Sequence, residues 1–188
     1  EDLRTSKKEV NRLGKEIDKL RNELFYFIQE LKEENVKASN FYISLISILE
    51  DMAQSLEYIT KASFKHVNNN HRQLKYSQIK ELEETQSDLE GLLSDVRFSF
   101  DINAFEAFAT LADKKEELFA NIDAKINQQV QRTRSKEEKS PKNTTLFFSL
   151  MVETKDLIVA TINLIEHYHL HYDPTVAPKK LGDEQKDK

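Results

Sequence analysis

The chain has no cysteine, and among its 188 residues there are only 3 glycines and 3 prolines. Without cysteine it can have no disulfide, no thiolate metal site and no thiol nucleophile, a composition that fits a reducing compartment. Gly14, Gly91, Gly182, Pro141, Pro174 and Pro178 are widely scattered. So few turn formers exclude a hairpin-rich sheet fold, and no glycine-rich loop is present to cradle a nucleotide's phosphates. No serine stands in a glycine-flanked elbow and all five histidines fall near the ends of the expected helices, so nucleophilic catalysis has no support in the sequence. No apolar run approaches the roughly 18 residues needed to cross a bilayer, and no signal peptide opens the chain. Charged residues make up 32% with a net charge of -5, which argues against broad electrostatic attraction to nucleic acid or to an anionic membrane. The expectation is a soluble, non-enzymatic piece with no direct membrane insertion. Because it lacks an initiating Met and starts directly in a helical pattern, it reads as part of a longer protein whose remainder can be membrane-embedded.

What the chain does have is helical periodicity. Leu146 to Tyr172 is the most apolar stretch: at about 100° per residue, Leu146, Leu150, Leu157, Leu164 and Tyr168 form one row with Phe147, Met151, Ile158 and Ile165 beside it. Phe148, Val152 and Val159 extend the apolar arc. A helix apolar over most of its circumference belongs at the centre of a bundle, where neighbours cover it from several sides. Its one polar stripe is Glu153, Asp156, Asn163, His167 and His171, which project to nearly the same side. That stripe is either a cation-binding ladder or the solvent seam of an otherwise buried helix.

The remaining helices are expected in order. Leu3, Val10, Leu13, Ile17, Leu20, Leu24, Phe27 and Leu31 make a coiled-coil-like seam, with Ser6 in the missing position and mixed charges between. Asn35 to Asn40 is expected as the first turn, Asn40 capping a second helix from about Phe41 to about His66. Its core face comprises Phe41, Tyr42, Leu45, Ile46, Ile48, Leu49, Met52, Ala53, Leu56 and Ile59, with Glu50 and Glu57 on one shoulder and Asp51, Ser44, Ser55 and Tyr58 on the other. His66 to His71, HVNNNH, ends that helix, since consecutive Asn favours left-handed caps; its two imidazoles either bind a metal or form an exposed cap. A third helix starts near Ser77 with Ile79, Leu82, Leu89, Leu93 and Val96 inward and Gln86 in the same row. Asp101 or Asn103 is expected to cap a fourth, built on Phe105, Phe108, Ala112, Phe119, Ile122, Ile126 and Val130. Arg132, Arg134, Lys136, Lys139 and Lys142 near its end suit a helix C-terminus or, less simply, a phosphate patch. Asn143, Thr144 or Thr145 is expected to cap the last helix, and residues 173–188 form a polar tail. The fold class is therefore all-α, an antiparallel bundle of about five long helices over residues 1–172.

The bundle's candidate chemistry is carboxylate binding of a divalent metal ion. Glu153 and Asp156 of the last helix would act with Glu50 or Asp51, or with Glu57, of the second. A di-iron carboxylate site needs a Glu-x-x-His motif on each of two helices, and Glu166 with His169 is a single match.

The segments ISILEDMAQSLEYITKASFKHVNNNH and INQQVQRTRSKEEKSPKNTTLFFSLMVETKDLIVATINLIEHY resemble the PhoU-like domain at the cytoplasmic C-terminus of bacterial sodium-dependent phosphate cotransporters, over about residues 3 to 172. The resemblance implies two similar helical halves, each with an acidic motif of roughly Glu-x-x-x-Asp on its second helix that can bind metal clusters. Asp51 falls where the first acidic residue of one motif would lie, with Ser55 at the second place; Glu153 and Asp156 are three apart rather than four. By this resemblance the chain is a regulatory or assembly domain on the cytoplasmic side of the inner membrane. Its partner is the transporter's membrane domain in the same longer chain, and a homodimer is possible. The alternatives from other classes are a metal-binding carboxylate bundle with redox or storage activity and a structural coiled-coil adaptor.

Overall fold

The computed structural model describes residues 3–32 and 36–172. Five α-helices follow one another: α1 Leu3–Glu30, α2 Val36–Asn68, α3 Tyr76–Asp101, α4 Phe108–Arg134 and α5 Pro141–His171, with a 3-10 turn at Phe105–Ala107 before α4. No strand occurs among the described residues, so the all-α bundle expected from the periodicity is the observed architecture. Among them no helix is long and apolar enough to cross a membrane. The polar tail expected over residues 173–188 lies outside the described residues.

Side-chain pairings fix the directions. Phe27 meets Tyr42 and Lys7 meets Phe64, so α1 and α2 are antiparallel; Phe41 meets Tyr168 while Ser55 meets Glu153, so α2 and α5 are antiparallel as well. Gln78 with Gln129 and Asp95 with Lys114 set α3 against α4, and Asp123 with Lys155 and Phe108 with His169 set α4 against α5. Over the described residues the five helices therefore alternate in direction, and α3 lies parallel to α5, as Thr85 with Met151 and Phe100 with Tyr168 confirm.

The helix expected at the centre is there. α5 packs against α2, α3 and α4, whereas α1 packs chiefly on α2. Its apolar rows are mostly buried, Leu157 and Ile158 to 1% exposure each, while Leu164 and Tyr168 are half-buried. One contiguous core, including Leu92, Val96, Leu111, Leu118, Ile122, Phe147, Met151, Ile158, Ile162 and Ile165, is drawn entirely from α3, α4 and α5. The α1–α2 hairpin lies over the other flank of α5 as an outer layer. The seam of α1 faces α2, but only Ile17 of that helix is buried.

Several local expectations are corrected. Val152 and Val159 do not extend the buried arc: they are 49% and 37% exposed, because among the described residues no helix covers that edge of α5. α2 begins at Val36, so residues 36–40 are helical and Asn40 is not its cap; Ser39 instead donates its hydroxyl to the Val36 carbonyl (2.6 Å). α5 is capped three residues earlier than expected, by Ser140, whose Oγ accepts from the Asn143 amide (3.2 Å) with Pro141 at the first helical position. Proline suits that place because its missing N–H would have had no helical partner. Asn103 ends α3 instead of starting α4. It sits at φ 53 with its amide donating to Phe100 O and the amide of Ala104 donating to Ser99 O, the paired bonds that close a helix C-terminus around a left-handed residue.

In α3 the inward row is Gln78, Glu81, Thr85, Leu92, Val96 and Ser99, while Ile79 and Gln86 are exposed. The inward half nearest the N-terminus is polar because it meets α4's basic end. Arg132 donates from both terminal nitrogens to Glu81 (2.8 and 2.6 Å) and from Nε to Gln129 Oε1 (3.0 Å). Gln129 Oε1 also accepts from Gln78 Nε2 (3.2 Å). Arg132 is thus withdrawn from any surface phosphate patch; its hydrogen bonds to Glu81 raise its already high pKa further.

Candidate functional site

Along the α2–α5 contact the helices are separated by small side chains, Ser55 and Ala160, both buried. Above them a groove of about 550 Å³ opens, lined from α2 by Asp51, Gln54, Ser55, Glu57, Tyr58 and Lys61 and from α5 by Glu153, Asp156, Val159, Ala160 and Asn163. Its walls follow from helix geometry: Glu153, Asp156, Ala160 and Asn163 recur at three- and four-residue intervals and so share one face, while Asp51, Gln54, Ser55, Tyr58 and Lys61 do the same on the opposing helix.

The expected metal residues divide between two places. Asp51, Glu153 and Asp156 all line this groove. Glu50 does not; it lines a second groove on the α1 side of α2, where Arg21 donates to it from Nε (2.6 Å) and from a terminal nitrogen. Adjacent residues on a helix point about 100° apart, so with α2 between α1 and α5, Glu50 serves one neighbour and Asp51 the other. Glu57 borders both grooves and is ion-paired with Lys61 (2.6 Å). The Lys61 ammonium brings positive charge to the same groove.

Glu153 is the electrostatically unusual member. Burial pushes its carboxyl pKa up, the negative charge of Asp156 pushes it further, and the hydrogen bond from Ser55 pulls it partly back. Asp51 and Asp156 are exposed to solvent. Among the described residues no three His, Asp or Glu side chains are grouped closely enough to hold a metal ion. As folded, the groove presents carboxylate oxygens to a hydrated cation, or to a basic side chain, rather than a closed coordination shell.

The lower polar stripe of α5 has other work. His167 Nε2 lies 2.8 Å from the Phe41 carbonyl and its ring stacks on that of Phe41 at 4.7 Å with a 6° interplanar angle. It ties the end of α5 to the start of α2, beside the packed rings of Phe100, Phe105, Tyr168 and Tyr172. Burial, and then the neighbouring Tyr172, raise the pKa of the Tyr168 phenol. Glu166 and His169 form no Glu-x-x-His site: the His169 ring is stacked 6.0 Å from Phe108.

Sequence reasoning missed the polar cluster of Gln78, Glu81, Gln129 and Arg132, which joins α3 and α4. Hydropathy periodicity counts such residues as surface, so no apolar signal marked them; Glu81 and Arg132 become legible only once α3 and α4 are aligned. No family model matches the chain, and comparison with curated proteins and with solved structures finds no similar one.

Proposed function

We propose that this chain is a non-enzymatic regulatory or assembly domain of a sodium-dependent phosphate cotransporter, acting on the cytoplasmic side of the membrane through contacts with the transporter's membrane part. The observation that carries the reading is the α2–α5 pairing. The two helices on which the resemblance to PhoU-like domains places acidic motifs pack directly together, and they bring Asp51, Glu153 and Asp156 to one groove. The test is phosphate uptake by the transporter with and without this domain, together with co-purification of the separately expressed domain with the membrane part. A change in uptake rate or in its dependence on phosphate, with co-purification, is expected; unchanged uptake and no association removes the reading.

A second reading, a carboxylate bundle that binds a divalent cation, is favoured by Glu153 alone. A carboxyl whose ionisation is opposed by burial and by a neighbouring carboxylate is relieved when a cation neutralises the pair. Calorimetric titration of untagged protein with magnesium, manganese, iron(II) and zinc, against the Glu153→Ala, Asp156→Ala double variant, decides it. Binding that the double variant retains unchanged rules out the groove as the site.

A further inference from the structure

The C-terminus of α2, at the opposite end of that helix from the His167 tie, is closed in a specific way. Asn70 sits in the left-handed region at φ 52, its amide donates to Val67 O (3.0 Å) and the amide of His71 donates to His66 O (3.2 Å). This is the double-bonded helix stop in which the residues at the His66 and His71 positions normally touch through apolar side chains. Here both are imidazoles, with ring centroids 5.2 Å apart and planes at 59°.

Three observations give this pair the character of a ligand set. First, His66 is only 8% exposed, and its Nε2 lies 3.0 Å from the Arg72 carbonyl. A carbonyl only accepts, so Nε2 carries the proton and the neutral ring has its lone pair on Nδ1. A ring N–H anchored on a backbone carbonyl is how metal-binding histidines are oriented. Second, two imidazoles on one tetrahedral ion, at metal–nitrogen distances of about 2.0–2.1 Å, have ring centres about 5 Å apart, in agreement with the observed spacing. Third, the carbonyl end of a long helix carries partial negative charge, which favours a cation there; Lys65 in the same turn already occupies part of that field.

We propose that His66 and His71 form a two-nitrogen site for a borderline divalent transition ion such as zinc, with water completing the coordination. No third His, Asp or Glu is grouped with them among the described residues, so the site is exchangeable, not structural. It is independent of the acidic groove, whose oxygen ligands suit harder ions. His167 and His171, on adjacent turns of α5, also have ring centroids 5.2 Å apart, with His167 Nε2 on the Phe41 carbonyl, but the His167 ring is stacked flat on Phe41 and His171 is exposed. That pair serves as the comparison.

Untagged protein is titrated with zinc by calorimetry while the imidazole proton signals are followed by NMR, for the parent and for His71→Asn, His171→Asn and Asn70→Gly. The expected result is that the His66 and His71 signals respond together, that His71→Asn removes this response and its heat, and that His171→Asn and the cap-preserving Asn70→Gly retain it. His71 is chosen over the more buried His66 because its replacement leaves the folded core untouched. Zinc that leaves both rings unmoved, or a His66 response of equal affinity in His71→Asn, overturns the proposal. Loss of the groove carboxylates in Glu153→Ala, Asp156→Ala has no bearing on these two signals, so failure of the acidic-groove reading is distinguishable from failure of this one.

Discussion

Single residues show how neighbours decide what a side chain does. A carboxyl whose folded pKa is raised binds its proton more tightly in the folded state than in the unfolded one. The folded protein is therefore favoured below the unfolded value, and stability falls as pH rises through the interval up to the folded value. For Glu153 this means that the ionised form strains the fold at neutral pH. Glu153→Gln should leave stability unchanged or slightly higher at pH 7 and lose that advantage in acid, a trend that melting temperatures across pH 3 to 8 would show. Arg132 and Glu81 illustrate the reverse, each 12% exposed and bonded through two contacts. Arg132→Ala should cost about 3 kcal/mol by denaturant titration, because it strands a nearly buried carboxylate, and pairing Glu81→Leu with Arg132→Met should recover most of that loss. At this scale the sequence told only half of the story. The three-residue spacing of Glu153 and Asp156 placed both on one face, but whether Glu50 or Asp51 would face them depended on which flank of α2 met α5, and periodicity within one helix is silent on that.

At the scale of the element, existence and type were legible while ends and inward faces were not. Five long periodic stretches became five helices of 28, 33, 26, 27 and 31 residues. Ends were misjudged where one polar residue has two possible uses: Asn103 can start a helix through its side chain or stop one through its backbone, and the left-handed stop won. Because Asn tolerates φ above zero and Ala does not, Asn103→Ala should destabilise the corner by about 1 kcal/mol while Asn103→Gly is tolerated, as thermal melts would report. Ser140→Ala should cost about 1 kcal/mol through the lost cap of α5. The inward face of α3 was displaced because buried Gln78, Glu81 and Thr85 carry no apolar signal. In α5, by contrast, apolar content alone marked the buried rows. Leu157→Ala should therefore cost about 2 to 5 kcal/mol, and a denaturation midpoint equal to that of the parent would contradict its place in the core.

For the molecule as a whole, the helices are unequal. The contiguous core belongs to α3, α4 and α5, α2 is held between α5 and α1, and α1 meets chiefly one neighbour and buries one residue fully. Amide hydrogen exchange should accordingly be fastest in α1 and slowest in the middle of α5, with α2 between them; uniform protection across all five would mean that the outer layer is as firmly held as the core. That layering also bears on how the chain is made. A ribosome delivers α2, α3 and α4 before the helix on which these three converge, and the α1–α2 hairpin, though local, exposes on its inner side the surface intended for α5. Until residues 141–171 have cleared the exit tunnel, the emerging polypeptide is a string of half-covered helices, and consolidation waits for the last of them. A stalled nascent chain ending at Ser140 should thus be cut readily by protease and held by chaperones, and resistance should arrive in a single step once α5 has emerged.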